Sequence, residues 1–455
     1  MKLTSHLQCL ISKNFVFILF LFSSIEVGIS IGVHLLSPAS LTLLLLGPLL
    51  LLLFRLQIKE FLTQKYSLIL SLTAFGFIIF LSMIASTDHA IAIRFSVKYF
   101  AQIMIFMGFL LYFHSRKNEG KQVFLRGILY FSLLNGIVNI LEKLSISFVV
   151  KILHQIHPGA IFPNALRTSG LFQNPNTSGA FEVLGFICLL VYGAEILTSF
   201  RIRIAAYILL ISGIMLSQSI NSLGNLFFLS ILAILFSQKK NKHTKKILFV
   251  GFLLSFSLLA VLLKERITLS PSTHVTIGET LRSQDSLNQR LQIWHAAITS
   301  IRTHPIIGLG AGVFIFKTQI LGKFKNYTFL IPSGQFNAHN LELNMAAGFG
   351  LLGLSAFLFF MFMVARSISD PDSQNKKILF LALITLQQLD CFLDSSFAWE
   401  IVFWGLLALI ATDFSDKQPM GASASNPSEK ASNGSALAVR SSYRLAPCLS
   451  LIGKH

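Results

Sequence analysis

The sequence predicts an all-α, polytopic membrane protein with about twelve transmembrane helices and one long extracytoplasmic loop containing an amphipathic helix. Three observations predict it. Of the 455 residues, 53% are hydrophobic and only 12% charged, with mean hydropathy +0.69; a soluble domain carries about twice that charged fraction. Apolar runs that approach the roughly 20 residues needed to cross a bilayer recur along the chain, separated by short basic or polar intervals. One polar interval, 264–339, is far longer than the rest. A transmembrane β-barrel would show shorter, alternating segments instead.

The first apolar run follows MKLTSHLQCLISKN and continues to about Leu36. That is too long for the h-region of a cleaved signal peptide, so a first transmembrane helix is expected over 14–36. Further spans are expected at 39–54, 67–86, 97–113, 123–141, 178–197, 203–219, 222–237, 247–263, 340–365, 377–394 and 397–412. Together 1–412 form one transmembrane domain, with the loop 264–339 inside it. Beyond it, 413–455 is rich in Ser, Ala and Gly without an apolar period and reads as a disordered cytoplasmic tail.

The net charge of +18 invites a nucleic-acid reading, but its distribution argues otherwise. Alternate loops carry Arg55, Lys59 and Lys65; Arg116, Lys117 and Lys121; Arg201 and Arg203; KKNKHTKK at 239–246; and Arg366, Lys376 and Lys377. With twelve spans all five sets fall on one side, which the positive-inside rule makes cytoplasmic, along with both termini. The loop 264–339 is then extracytoplasmic. Cys9, Cys188, Cys391 and Cys448 avoid that loop and show no CxxC spacing, so neither a structural disulfide nor a zinc site is expected. Ionisable residues inside spans are costly; Glu26, Glu182, Asp390, Asp394 and Glu400 are read as helix-to-helix polar contacts, with a base or an arginine partner as the alternative.

The loop holds the most distinctive chemistry. Leu287, Leu291, Trp294, Ile298 and Ile301 recur at helical spacing. Asp285 or Ser286 is placed to cap that helix, and Pro305 ends it near His304. Arg290 and Trp294, four apart, share one side. The run PIIGLGAGVF follows, in which Gly308, Gly310 and Gly312 permit a tight turn and close backbone approach. It has neither the Lys-Ser/Thr of a P-loop nor a βαβ setting. Next comes AHNLELNMAAGFGLLGL, with His339 and Asn340 opening an apolar helix that carries Gly350 and Gly353.

Taken together, Arg290-x-x-x-Trp294, HPIIGLGAGVF, the His339–Asn340 pair before Gly350 and Gly353, and RTSGLFQNPNTSG at 167–179 resemble the O-antigen ligase family. That family groups O-antigen ligases, O-antigen polymerases and bacterial protein O-oligosaccharyltransferases. The resemblance covers most of 30–412. It implies a glycan donor on undecaprenyl pyrophosphate at the outer face of the bacterial inner membrane, and an acceptor hydroxyl on lipid A core, on another glycan or on a protein. It implies membrane lipids as surroundings, no cofactor, no metal and no nucleic acid.

The chemistry this implies needs a cation for the leaving pyrophosphate, whose charge grows as the glycosidic bond breaks, and a base of near-neutral pKa for the acceptor. Arg290, with its bidentate fork, suits the first and His339 the second. Arg167, Trp294, Asn340, Gly308 and Gly310 are the expected substrate-binding residues, and Asn340 is also read as a helix cap. One departure stands out. Members of that family often carry a Ser-Arg pair near the outer end of a middle span, where this chain reads LSQSINSLGN at 216–225 with Ile220 at the arginine position. Arg167, Arg94 and Lys98 are the candidates to supply the missing charge, Arg167 foremost. Lipid A core ligation is the leading expectation, polymerisation the next, and a twelve-helix solute transporter the alternative from another class.

Overall fold

The computed structural model describes residues 15–24, 29–31, 34–36, 38–58, 63–156, 167–172, 174–236, 284–315, 337–368, 372–389 and 397–414. Within them the chain runs α1 (Phe15–Ser23), β1 (Ile29–Ile31), β2 (His34–Leu36), α2 (Pro38–Leu53), α3 (Tyr66–Ile84), α4 (His89–Lys143), α5 (Ser147–Ile156), α6 (Pro175–Ile196), α7 (Phe200–Ser217), α8 (Ile220–Phe236), α9 (Gln284–Thr303), α10 (Leu341–Arg366), α11 (Ser373–Leu389) and α12 (Phe397–Ala411). By length and composition α3, α4, α6, α7 and α10 are each able to cross a membrane, and the apolar stretches of α2, α8 and α12 are shorter. The expected span 247–263, the residues after Phe414, and Glu26, Asp390, Asp394, Cys9, Cys391 and Cys448 lie outside the described residues.

Two expectations need correction. The first span does not run from 14 to 36. Helix α1 ends at Ser23, and a short antiparallel hairpin follows with Ile29 opposite Leu36 and Ile31 opposite His34. Its sequence alternates β-branched residues (Ile25, Val27, Ile29, Ile31, Val33), a period-2 strand signature that mean apolarity conceals. The architecture is therefore helical with one two-stranded hairpin.

The 55-residue α4 is not one rod. Lys117 sits at φ 46°, ψ −129°, and the rings of Phe109 and Phe124 lie 4.9 Å apart. In a continuous helix those fifteen residues would separate them by about 22 Å. The chain therefore reverses at Lys117, giving two antiparallel helices that correspond to the expected spans 97–113 and 123–141.

Helix α12 is the axis of the bundle, with every residue from Ala398 to Ala411 buried. Around it the two halves of α4 and helices α1, α6 and α10 close a core rich in aromatic rings. Phe106 and Phe360 meet edge-to-face at 5.1 Å, and Phe131 and Phe181 do the same at 5.1 Å. Lipid tails are as apolar as these side chains, so tight packing and ring geometry hold such a bundle rather than water exclusion. Helix α2 crosses α4 so closely that a Cβ on Gly47 would sit 2.7 Å from the Met104 backbone.

The two ends of the bundle differ in charge. At one, Lys376 Nζ donates to Thr412 O, Lys65 Nζ to Ala411 O (3.0 Å), and Lys121 pairs with Glu195 (3.2 Å) and Asp372 (3.4 Å). Lysines from three of the basic loops thus gather around the C-terminal carbonyls of α12, where the helix dipole is negative. The other end carries Ser86, Arg167, the 305–312 turn and His339.

Candidate functional site

The site end has its own small core. Ile293, Ala296 and Ala297 of α9, Leu309, Val313 and Phe314 of the following turn, Ala338, Ala347 of α10 and Ala92 of α4 form a buried apolar cluster, with Trp294 and Leu343 against it. The face of α9 docked on the bundle carries Ile293, Ala296 and Ala297, with Trp294 and Ile301 against it; of the apolar stripe expected from the sequence, Leu291 and Ile298 are exposed instead, because the small alanines let the helix approach the bundle on the neighbouring face. Arg290 lies one turn before Trp294 on the same side. Arg290 is half-buried.

Helix α10 is broken near its start. Gly350 adopts φ 70°, ψ −176°, which frees backbone groups that a low-dielectric interior requires to be satisfied. The segment Pro305–Gly310 fills the break. Leu309 N and Gly310 N donate to Ala347 O and Gly348 O (3.0 Å each), while Leu351 N and Leu352 N donate to Pro305 O (2.7 Å) and Ile306 O (3.2 Å). Only glycine fits at the contact: a Cβ on Gly308 would lie 2.5 Å from Gly348 O, and one on Gly350 would lie 2.1 Å from Ile306 O.

Helix α3 fastens the same place. Ser82 Oγ donates to Gly348 O (3.0 Å) and Ser86 Oγ to Leu309 O (3.1 Å). The close backbone approach expected at Gly308 and Gly310 is thus made to α10 and to Ser86, whose Oγ lies 2.1 Å from where a Cβ on Gly310 would be.

His339 is held in the left-handed region at φ 48°, a conformation that costs a non-glycine residue on the order of 1 kcal/mol and persists only where surroundings fix it. The fixing bonds are present. Trp294 Nε1 donates to Ala338 O (2.7 Å), Ala338 N to Asn344 Oδ1 (2.8 Å), and His339 N to Asn337 Oδ1 (2.9 Å). Trp294, one helical turn from Arg290, therefore clamps the peptide just before His339. Asn340 is the N-cap of α10, its Oδ1 accepting from Leu343 N (2.9 Å), and its Nδ2 donates to Gln388 O of α11 (3.2 Å).

Sequence reasoning passed over three residues here. Ser82 and Ser86 carry no motif. Glu342, three residues after His339, accepts from Gln388 Nε2 through Oε1 (2.8 Å) and keeps Oε2 buried without a hydrogen-bond partner. Only the HNLE spacing hinted at it.

The other segment that carries the resemblance, 167–179, starts at the same end. Arg167 Nε donates to Ser217 O (3.1 Å) and Nη2 to Asn176 Oδ1 (2.7 Å). Its loop is tied down by Glu142, whose Oε2 accepts from Ser169 N (3.0 Å) and Gly170 N (2.8 Å), and by Asn135, whose Oδ1 accepts from Leu171 N (2.8 Å). The element contacts between α10, α11 and α8 join the His339 and Arg167 regions through the bundle.

Of the other candidates for the missing charge, Lys98 is paired with Glu400 at 2.6 Å, and Arg94 is exposed at the start of α4. Glu400 and Glu182 prove to be helix-to-helix contacts. The first also accepts from Gln102 Nε2 (2.9 Å), and the second from Asn135 and Asn139 (3.0 and 2.6 Å). Cys188 is a buried free thiol. Among the described residues no group of three or more His, Cys, Asp or Glu side chains is disposed to hold a metal ion.

Residues 205–358 match the family model described as O-antigen ligase. The match runs from α7 to α10 and includes Arg290, Trp294, Gly308, Gly310, His339 and Asn340, with Arg167 outside it. It supports the O-antigen ligase family, a multi-pass membrane setting, and glycan transfer of the ligase or polymerase kind. No curated protein matches the chain.

Proposed function

We propose, with the O-antigen ligase match as premise, that this chain transfers a glycan from undecaprenyl pyrophosphate to an acceptor hydroxyl at the outer face of the bacterial inner membrane, with lipid A core as the acceptor. The observation that carries the reading is the clamp Arg290–Trp294–Ala338–His339: one helix presents an arginine and fixes, four residues on, the backbone of a histidine.

In this reading the donor's pyrophosphate lies against Arg290, whose guanidinium takes up the charge that develops as the sugar C1–O bond breaks. The His339 imidazole accepts the proton of the acceptor hydroxyl, whose oxygen forms the new bond to C1. The proton and the pyrophosphate leave separately, and the step needs no oxidant or nucleotide. Arg167 supplies the second positive charge that the 216–225 segment lacks. Trp294, Asn340, Gly308 and Gly310 serve substrate binding by holding the backbone on which both groups stand. The lysine-rich end faces the cytoplasm, with both termini.

The family match also fits a polymerase, in which the acceptor is a second lipid-linked repeat. Lipopolysaccharide from cells lacking the chain separates the readings. Bare core with accumulated long lipid-linked glycan supports ligation. Core bearing a single repeat supports polymerisation. An unchanged profile removes both and favours a protein acceptor or solute transport.

A further inference from the structure

We infer that the apolar groove between α3 and the first half of α4 is the track for the polyisoprenyl chain of the lipid-linked donor; the inference rests on the function proposed above and adds the site of the tail. The groove encloses about 410 Å³, within the roughly 300–1,000 Å³ typical of ligand sites. Ile69, Gly76, Phe77 and Phe80 of α3 face Phe100 and Met107 of α4 across it. It opens sideways, where lipid would lie, with Phe77 58% and Phe80 44% exposed.

Two features set it apart from an ordinary furrow on a helical bundle. The first is Gly76. Most glycines of this bundle serve tight crossings, as Gly47 does. A Cβ on Gly76 would meet only Ile103 Cδ1 at 3.5 Å and Phe100 Cε1 at 3.7 Å, ordinary contact distances. The fold has no need of glycine there, and its bareness deepens the groove instead.

The second feature is continuity with the site. From Ile69 to Phe80 the groove runs about 17 Å along α3, more than half of a hydrocarbon core of about 30 Å. Its upper end lies two residues from Ser82 and six from Ser86, the side chains bonded to Gly348 O and Leu309 O. Phe95, on the same half of α4, packs against Gly312 of the turn. A chain seated between Phe77, Phe80 and Phe100 thus brings its phosphates up beside the 305–312 turn, while ring edges and the glycine notch accept the methyl branches of an isoprenoid.

The test places a benzophenone amino acid at Phe77 and, as control, at Phe362 of α10, which is equally exposed at 58% but lies outside the groove. The full-length protein is illuminated in vesicles holding phospholipid and a radiolabelled undecaprenyl-pyrophosphate-linked oligosaccharide, and transfer to acceptor is measured in the same preparation. Labelled donor captured at position 77 well above position 362 is the expected result. Equal capture, or phospholipid alone at 77 in vesicles that transfer glycan, overturns the groove and leaves the function standing. A wild type that transfers nothing overturns the function and the groove with it. Gly76→Leu fills the notch, and its Cβ meets only the side chains of Ile103 and Phe100. It should raise the KM for the donor several-fold with kcat and melting temperature held, and an unchanged KM counts against the groove.

Discussion

At the residue scale His339 is set by the hydrogen bonds of the residue before it. Its left-handed backbone is held by the Trp294 and Asn344 bonds to Ala338. Trp294→Phe keeps the ring in the small core and removes one hydrogen bond. The expected outcome is a melting temperature lowered by the equivalent of about 1 kcal/mol and transfer slowed by about 10- to 100-fold, as for other misplaced catalytic groups. Activity falling only in step with stability would contradict a positioning role. The glycines give a second contrast. Gly350→Ala meets both positive φ and Ile306 O and should prevent stable folding. Gly224→Ala, on α8 with nothing within 4 Å, should be neutral or stabilise by about 0.5–1 kcal/mol, both read by thermal unfolding in detergent. Arg290, Trp294 and His339 were legible because their spacing is local. Ser82 was not, since its bond to Gly348 spans 266 residues of sequence and a serine in an apolar helix has no signature of its own.

At the element scale the central device is the broken start of α10 with Pro305–Gly310 laid into the break. Its glycines are legible as turn and close-approach residues, and the partner they approach is not, because period and propensity describe one segment at a time. The chain reversal at Lys117 was expected from the charged RKNEGK interval, whereas the β1–β2 hairpin was hidden by an unbroken apolar average. Asn340 tests the α10 cap. Asn340→Ala should cost about 1 kcal/mol, read by thermal unfolding. Asn340→Asp keeps the acceptor for Leu343 N but loses the donation to Gln388 O, so it should recover only part of that stability; full recovery would show that the cap is the whole of its structural role.

At the scale of the molecule, the gathering of basic residues at one end was legible in the spacing of their loops. Lys65, Lys121 and Lys376 come from loops far apart in sequence and meet at one end of the bundle, as alternation of the basic loops requires. In a cysteine-free background, Lys117→Cys and Arg302→Cys, both at exposed positions, should differ toward an impermeant maleimide applied to spheroplasts. Labelling is expected at 302 and not at 117, and the reverse pattern would invert the orientation. The Lys98–Glu400 pair, with Glu400 fully buried, was expected only as a contact with an unnamed partner. Glu400→Ala leaves an unpaired charge in the bundle and should destabilise by about 3–5 kcal/mol, seen as loss of folded protein on size-exclusion chromatography, with Lys98→Met/Glu400→Met together recovering much of it.

The most direct test of the central claim is the lipopolysaccharide profile of cells lacking this chain, complemented with wild type, Arg290→Ala or His339→Ala at matched membrane levels. Both variants should give bare core and accumulated lipid-linked glycan, with residual transfer reduced by about 100- to 1,000-fold. Wild-type lengths and amounts of glycan on core from either variant would contradict the assignment of that residue to the transfer step.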